Sequence, residues 1–567
     1  MALAVGREFS FAQTAPAEFV APAPIPVSES PAEVVNFAEA DRLTPVAINA
    51  APNAADPHAG PKFMGVSSCA SAACHGGPAS ANVTPTWKNA YTVVYQTKND
   101  PHRNAYRVLT DDRSKRILWL LDGAVKSPSA QPDKPWSESK PQQDARCLTC
   151  HSSMTDAETP PPDFALSDGV SCEACHGPSE KWKGPHTLVS WKADAKRYRT
   201  LSVDPSKTVG DAHKMWNTKD LSSRAAICMR CHVGGPDRDV NHDLIAAGHP
   251  RLNFEFSTFQ AMMPKHWDDS KDRQAMARAT GSEKIPDRPL DIEARLWSIG
   301  QGAEAVVALR LLRQRIDLLD SQGENPHLRE DLTSKMMLGR ATATWPEFTE
   351  YDCFACHHDL SESSWRRLDV QGVPAGHPRR PGTLPWGNWH FSRIQNDFLW
   401  KDEQGKETKV GLALEDVRKK MQKLYVAPKD ARSAVETALT ALEGELAALE
   451  LETYQDADVR SGLYGLGVSV SPAIESWDEA VQRYLAYVAL TNTLARLDPR
   501  WQPNFFAEQG PPPPVKAKLF ELQRKLGFKV GVNSPNLPTS ADWDELKKLF
   551  RDLEAELIRN GGAVAKK

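Results

Sequence analysis

Hydrophobic spacing divides this chain of 567 residues into three stretches of different character. From residue 405 onward apolar side chains recur at helical intervals. Val435, Leu439, Leu442, Leu446 and Leu449 alternate steps of four and three, and Leu546, Leu549, Leu553 and Leu557 repeat the pattern near the end. Ser476 with Glu479 has the form of a capping box ahead of Val481, Leu485 and Val488, and the Pro511 to Pro514 run separates two helices. The pattern predicts a C-terminal helical bundle over 405–567, packed beside what precedes it. Residues 63–404 carry little period, which predicts short helices and many turns. The exception is one long helix from Asp291 to about Ile316, where Leu296, Ile299, Ala303, Val306 and Leu309 recur, and it is expected to buttress this region. Residues 1–62 are rich in Ala and Pro, as in Ala21 to Pro26, and are expected to form a disordered tether. The fold class is therefore mainly α.

A middle region with so little apolar pattern needs another source of core, and its cysteines supply one. The chain holds 10 cysteines and 16 histidines. Four times a pair of cysteines two residues apart is followed at once by histidine: Cys147, Cys150 and His151; Cys172, Cys175 and His176; Cys228, Cys231 and His232; Cys353, Cys356 and His357. Cys69, Cys74 and His75 form a looser fifth copy with four residues between the thiols. Chance predicts on the order of 0.005 such pentapeptides at this composition. Two thiols on one helical turn reach the two vinyl groups of one porphyrin while the adjoining imidazole turns onto the iron, so each copy reads as covalent haem attachment. Structural zinc uses similar cysteine pairs but does not require the histidine, and disulfides do not explain it either. Five covalently bound c-type haems are expected.

The remaining chemistry bounds the setting. A formal charge of −4 gives no nucleic-acid footprint. Two propionates per haem would make the loaded protein more acidic and commit Lys and Arg side chains locally. No run of about eighteen apolar residues spans a membrane. Haem is joined to thiols outside the cytoplasm, so export to the periplasm is expected. The apolar part of the N-terminus is only Ala2 to Val5, and Phe11 to Ala15 resembles the region around a cleavage site, so the expected export signal is incomplete.

Asp100-Pro101-His102-Arg103-Asn104-Ala105-Tyr106, Gly169 to Pro178 around the third motif, and His186 ten residues after His176 carry a resemblance. Over residues 65–390 the sequence resembles the multihaem c-type cytochromes grouped with the tetrahaem electron carrier of the hydroxylamine oxidation pathway. The resemblance implies a mostly helical fold, closely packed haems, bis-histidine ligation and electron transfer with redox partner proteins. It covers neither the C-terminal bundle nor the fifth haem. That family often places a histidine five residues after a tryptophan that follows the first motif, whereas here Trp87 leads to Thr92, which leaves one iron short of its usual distal ligand.

Five irons with His75, His151, His176, His232 and His357 as proximal ligands need five distal ones. Asp100 and Pro101 can cap and start a helix that holds His102 in its first turn. His186 cannot swing back onto the iron of His176 but can serve a neighbour. Ala247-Gly248-His249-Pro250-Arg251 and Ala375-Gly376-His377-Pro378-Arg379 repeat a unit in which Gly ends a helix and Pro forbids its continuation, fixing the imidazole, with the arginine placed to fork onto a propionate. His242 lies seven residues before His249 and completes the five candidates. His358 cannot share the iron of its neighbour. His213, His266 and His390 are reserves, and His58 and His327 are expected at the surface. Three functions follow from this set. The first is an electron-transfer wire with every iron six-coordinate. The second is an oxidoreductase with one open iron acting on a small nitrogen or sulfur compound. The third is a haem subunit docked in a respiratory complex. The surplus of histidines favours the wire.

Overall fold

The computed structural model describes residues 61–77, 90–97, 100–126, 135–153, 166–194, 196–235, 238–264, 266–267, 289–322, 345–353, 386–387, 389–391, 408–423, 426–468, 474, 476–501, 513–526 and 540–563. The expected tether lies almost wholly outside the described residues, as do Cys356, His357, His358 and His377. The described chain is mainly helical, and its strands are the two-residue pair β1 (Tyr198–Arg199) and β2 (Met215–Trp216), parallel, with Tyr198 opposite Met215.

The described residues up to 267 fold as short helices joined by 3-10 turns. They are α1 (Asp112–Lys126), α2 (Ala145–His151), α3 (Cys172–His176), α4 (Val189–Ala193), α5 (Leu221–His232), α6 (His242–Ala246) and α7 (Phe256–Met262). Three of them end on a motif histidine, because the motif itself forms the last turn. Two of the three have a start signal in the sequence: Asp144 accepts from the Arg146 N–H ahead of α2, and Asp220 accepts from the Ser223 N–H ahead of α5. Gly177 takes φ 80° directly after His176, and a Cβ there would meet the Trp216 ring at 2.6 Å, so the exit from α3 requires glycine twice over.

The long helix, α8 (Ile292–Gln322), begins one residue later and runs six residues further than its apolar spacing marks. Every residue from Ala294 to Leu309 is buried. Leu296, Ile299, Ala303, Val306 and Leu309 are fully covered, and so are the polar residues between them, each with a partner from another element. Arg295 donates to the Glu450 carbonyl at 2.9 Å, Gln301 to Gln482 at 3.3 Å, and Glu304 accepts from the Phe256 N–H at 3.0 Å. Asp291, at its start, accepts instead from the Tyr454 N–H at 3.1 Å.

Behind α8 stand α9 (Lys409–Met421), α10 (Pro428–Leu451), α11 (Asp456–Val468), α12 (Trp477–Leu497), α13 (Pro514–Leu526) and α14 (Ser540–Arg559). Val435, Leu439, Leu442, Leu446 and Leu449 line the buried face of α10, and Ser476 Oγ accepts from the Glu479 N–H at 3.1 Å. Two apolar cores result. One joins α5, Phe254 and Phe256 to α8, α9 and α10; the other joins Ala294, Trp297 and Trp389 to α11, α12, α13 and α14. Both run across residue 405, and α8 contributes to each. The C-terminal helices therefore wrap a helix donated by the earlier part of the chain, where apolar spacing alone suggested a bundle set beside it.

Candidate metal centre

The motif histidines come together with other histidines in pairs. His75 faces His186 with ring centres 6.2 Å apart, His151 faces His249 at 6.4 Å, His176 faces His266 at 6.1 Å and His232 faces His102 at 6.0 Å. A metal–imidazole bond is about 2.0 Å long and the ring centre lies about 1 Å behind the nitrogen, so two imidazoles on opposite sides of one metal ion hold their centres about 6 Å apart. All four pairs meet that distance. Each joins one motif histidine to one from elsewhere, with thiols of the motif one and four residues before it, or one and six for His75. The donor set fits a porphyrin iron held at two axial positions.

The outward nitrogens of these rings are tied down. His151 Nδ1 lies 2.7 Å from the Ala105 carbonyl, His249 Nδ1 2.7 Å from the Pro250 carbonyl, His186 Nδ1 against the Lys183 carbonyl, and His102 Nδ1 3.0 Å from Asp100 Oδ1. A carbonyl accepts only from N–H, so Nδ1 carries the proton in the first three and Nε2 keeps its lone pair for the facing side. Burial favours the neutral ring in five of them. It lowers His176 to about 3, His232 to about 4 and His249 to about 4, and it lowers His151 and His266 as well. His102 differs: burial pushes it down, but the hydrogen bond and charge of Asp100 outweigh that and raise it. The carboxylate makes this imidazole the more basic donor.

Local sequence explains the presentation. Asp100 accepts from the His102 N–H at 3.1 Å and Pro101 starts the 3-10 turn Pro101–Asn104, so cap and ligand geometry come from one side chain. Gly248 takes φ 114° after α6, and Arg113 grips its carbonyl at 2.6 and 3.0 Å. Arg251, placed in the sequence to reach a propionate, instead pairs with Asp478 Oδ2 on α12 at 2.7 Å, because α12 brings a buried carboxylate within reach. The looser first motif closes as a turn in which Cys74 N–H donates to Ser71 O at 2.8 Å and Gly76 N–H to Ser71 O at 2.9 Å. Thr92 is not the missing partner of this motif, since its hydroxyl donates to the Gly77 carbonyl and His186 faces His75.

Sequence reasoning held His266 only in reserve, yet it faces His176. Its signal was weak: Pro264 marks a turn, but no repeated unit surrounds it. Sequence reasoning missed Glu173 altogether. This buried carboxylate inside the third motif accepts from the N–H groups of Met64 at 2.9 Å, Gly65 at 2.8 Å and Ser179 at 2.7 Å, tying the approach to the first motif onto the third. His242 packs its ring edge on Phe348 at 5.4 Å and donates its N–H to Glu347 Oε1 at 2.8 Å, beside the segment leading to Cys353. His390 borders a cavity of about 70 Å³ that is also lined by Arg251, Arg315, Glu350 and Trp389, with Nδ1 3.6 Å from Glu304 Oε2.

Thiols of neighbouring motifs lie within electrostatic reach of one another: Cys69 of Cys172, Cys175 of Cys228, and Cys231 of Cys150. Arg251, two residues from His249, lies within electrostatic reach of Cys353.

Residues 72–177 match the family model of cytochrome c554 and c-prime. The match takes in the end of the first motif, all of the second and third, and His102. The similarity of this segment supports covalently bound haem as its cofactor, a role in electron transfer and redox proteins as partners. No curated protein and no solved structure matches the chain. No helix among the described residues is long and apolar enough to cross a membrane.

Proposed function

We propose that this protein is a periplasmic pentahaem electron-transfer cytochrome whose irons are held mainly by two histidines each. The observation that carries the reading is the set of four facing imidazole pairs 6.0 to 6.4 Å apart, each built from one motif histidine and one distant one. His186, His249, His266 and His102 are then the distal ligands for the motifs ending at His75, His151, His176 and His232. His242 is the proposed partner of His357, since it is held by the residues that lead into the fifth motif. His377 becomes the alternative there. With both axial positions filled by protein, a small substrate has no coordination site on these four irons, and the oxidoreductase reading narrows to the fifth.

The order of contacts gives the path. The first motif adjoins the third, the third the fourth, the fourth the second, and the second the fifth. Cys74 and Cys353, at opposite ends of that row, are exposed, while the six thiols of the three motifs between are half-buried. A conductor with insulated middle and open ends has this form. Docking of the C-terminal helices to a respiratory complex has no observation favouring it.

Ring orientation makes the test specific. The His75 and His186 planes lie within 8° of parallel, whereas the other three pairs cross at 65°, 83° and 86°. Low-spin ferric iron between parallel imidazoles gives a rhombic paramagnetic resonance signal, and between crossed imidazoles a strongly anisotropic one. The oxidised protein should show one of the first kind and three of the second, with five haems by intact mass. His186→Ala should remove the rhombic signal and His266→Ala one anisotropic signal, each creating one high-spin haem able to bind carbon monoxide. Wild-type spectra in both variants would end the ligand assignment, and a mass of four haems would remove the looser motif.

A further inference from the structure

We propose that the end of the haem row at Cys69 and Cys74 is a docking surface for a small acidic electron-transfer protein. The inference rests on the bis-histidine wire above and adds where a partner meets it. The turn that presents His186 to His75 continues straight into Leu188 and Val189, whose exposures are 58% and 88%. An adjacent pair of aliphatic side chains thus stands beside a ligand of the terminal haem, uncovered by the protein chain. Residues 71–74 of the attachment loop, directly before His75, are exposed as well. Trp191 on α4 meets Tyr198 edge-on at 6.3 Å, which gives the pair a firm base.

Charge selects the partner. Between Ser179 and Arg199 the sequence holds six basic residues, Lys181, Lys183, Lys192, Lys196, Arg197 and Arg199, against Glu180 and Asp194, in a chain whose net charge is −4. Lys183 is central: its carbonyl holds His186 Nδ1 and its ammonium is within electrostatic reach of Cys69. Neither Lys183 nor Lys196 has a carboxylate partner among the described residues, and Lys181 reaches Glu180 only at 3.9 Å. An apolar centre with a one-sign rim guides encounter and fixes orientation while leaving release fast, the balance an electron-transfer contact needs. A lipid surface is disfavoured because α4 has five residues, too few for an interfacial helix.

The test uses the holoprotein and flavodoxin hydroquinone as the acidic probe, with reduced lumiflavin as a neutral small reductant. In Lys181→Glu/Lys196→Glu the second-order rate of reduction by flavodoxin should fall about tenfold or more and lose most of its dependence on ionic strength. In Leu188→Ser/Val189→Ser it should fall several-fold with the salt dependence kept. Lumiflavin rates, the mass of five haems and the low-spin spectra should not change in either, which shows that the fold and ligation survive. Unchanged flavodoxin rates in both variants would overturn the proposal. So would binding to phosphatidylglycerol vesicles that the charge reversal abolishes while flavodoxin reduction stays the same. The ligand assignment fails by a different readout, the resonance spectra of the histidine variants, so the two failures are distinguishable.

Discussion

The chain before residue 268 and the chain from α8 onward keep their shape by different means. Neither apolar core includes a buried residue earlier than Ala225 among the described residues. In the earlier part the covered groups are often polar, such as Ser152, Ser153, Ser171, Glu173 and Ser179, and three of its motifs sit on helices of five, seven and twelve residues. Isolated helices shorter than about 12 to 15 residues are marginal in water, so the five- and seven-residue helices cannot hold themselves. From α8 onward, helices of 13 to 31 residues bury continuous rows of Leu, Val and Trp. Burying each such side chain contributes about 1.5 to 3 kcal/mol. The later part carries its own core; the earlier part is built around imidazoles and thiols whose shared centre is the porphyrin.

The most severe way to break this contrast is to withhold haem. Protein produced without haem attachment should lose ordered structure through residue 267 while a fragment beginning near residue 289 stays protected. Limited proteolysis with mass mapping reads this, and uniform protection along the chain would mean that the earlier part has a core of its own. The contrast sharpens if the fragment boundary is varied. Residues 289–567 with α8 should melt cooperatively, whereas 405–567 alone should be loose, since both cores lose the helix that joins them.

A smaller effect is expected inside the apolar core. Leu442 is fully buried on α10. Leu442→Ala should cost about 3 kcal/mol of stability, within the usual span of about 2 to 5 for such truncations, and leave haem spectra alone. A shifted spectrum with an unchanged melt would reverse the roles assigned to the two regions.

Acid probes the other side. The unfolded histidine pKa is about 6.5, and burial lowers His249 and His232 to about 4 and His176 to about 3. A lowered value means the folded state favours the neutral ring, so this stability is complete above about pH 6.5 and drains as pH falls through about 4. The low-spin absorption should therefore hold from pH 8 to about 5 and give way below about 4. Loss near pH 6 would mean that the rings are solvated.

The smallest expected change is electronic. Asp100 lies 3.0 Å from His102 Nδ1, and second-sphere partners of this kind change ligand affinity by about 10-fold or more. Asp100→Asn should raise the potential of one haem by about 30 to 60 mV, taking 59 mV per factor of ten for one electron. Potentiometric titration against the wild type measures it, and five unchanged midpoints would make Asp100 a helix cap alone.

The sequence by itself determined the local facts. The helical class, the rows on α10 and α14, the Ser476 cap, and the turns that fix His102 and His249 depend on residues within a few positions of each other, and local spacing records them. It also singled out ten thiols as expected haem anchors, because attachment needs two cysteines followed at once by a histidine. What only the tertiary structure decided is long-range. His102 meets His232 across 130 positions, and His266 meets His176 with no motif to announce it, since an imidazole needs only the right place and direction to face a metal. The same holds for α8, whose spacing marks a helix but not the two cores that close around it. Arg251 finds Asp478 for the same reason: partners brought together by packing leave no period in the sequence.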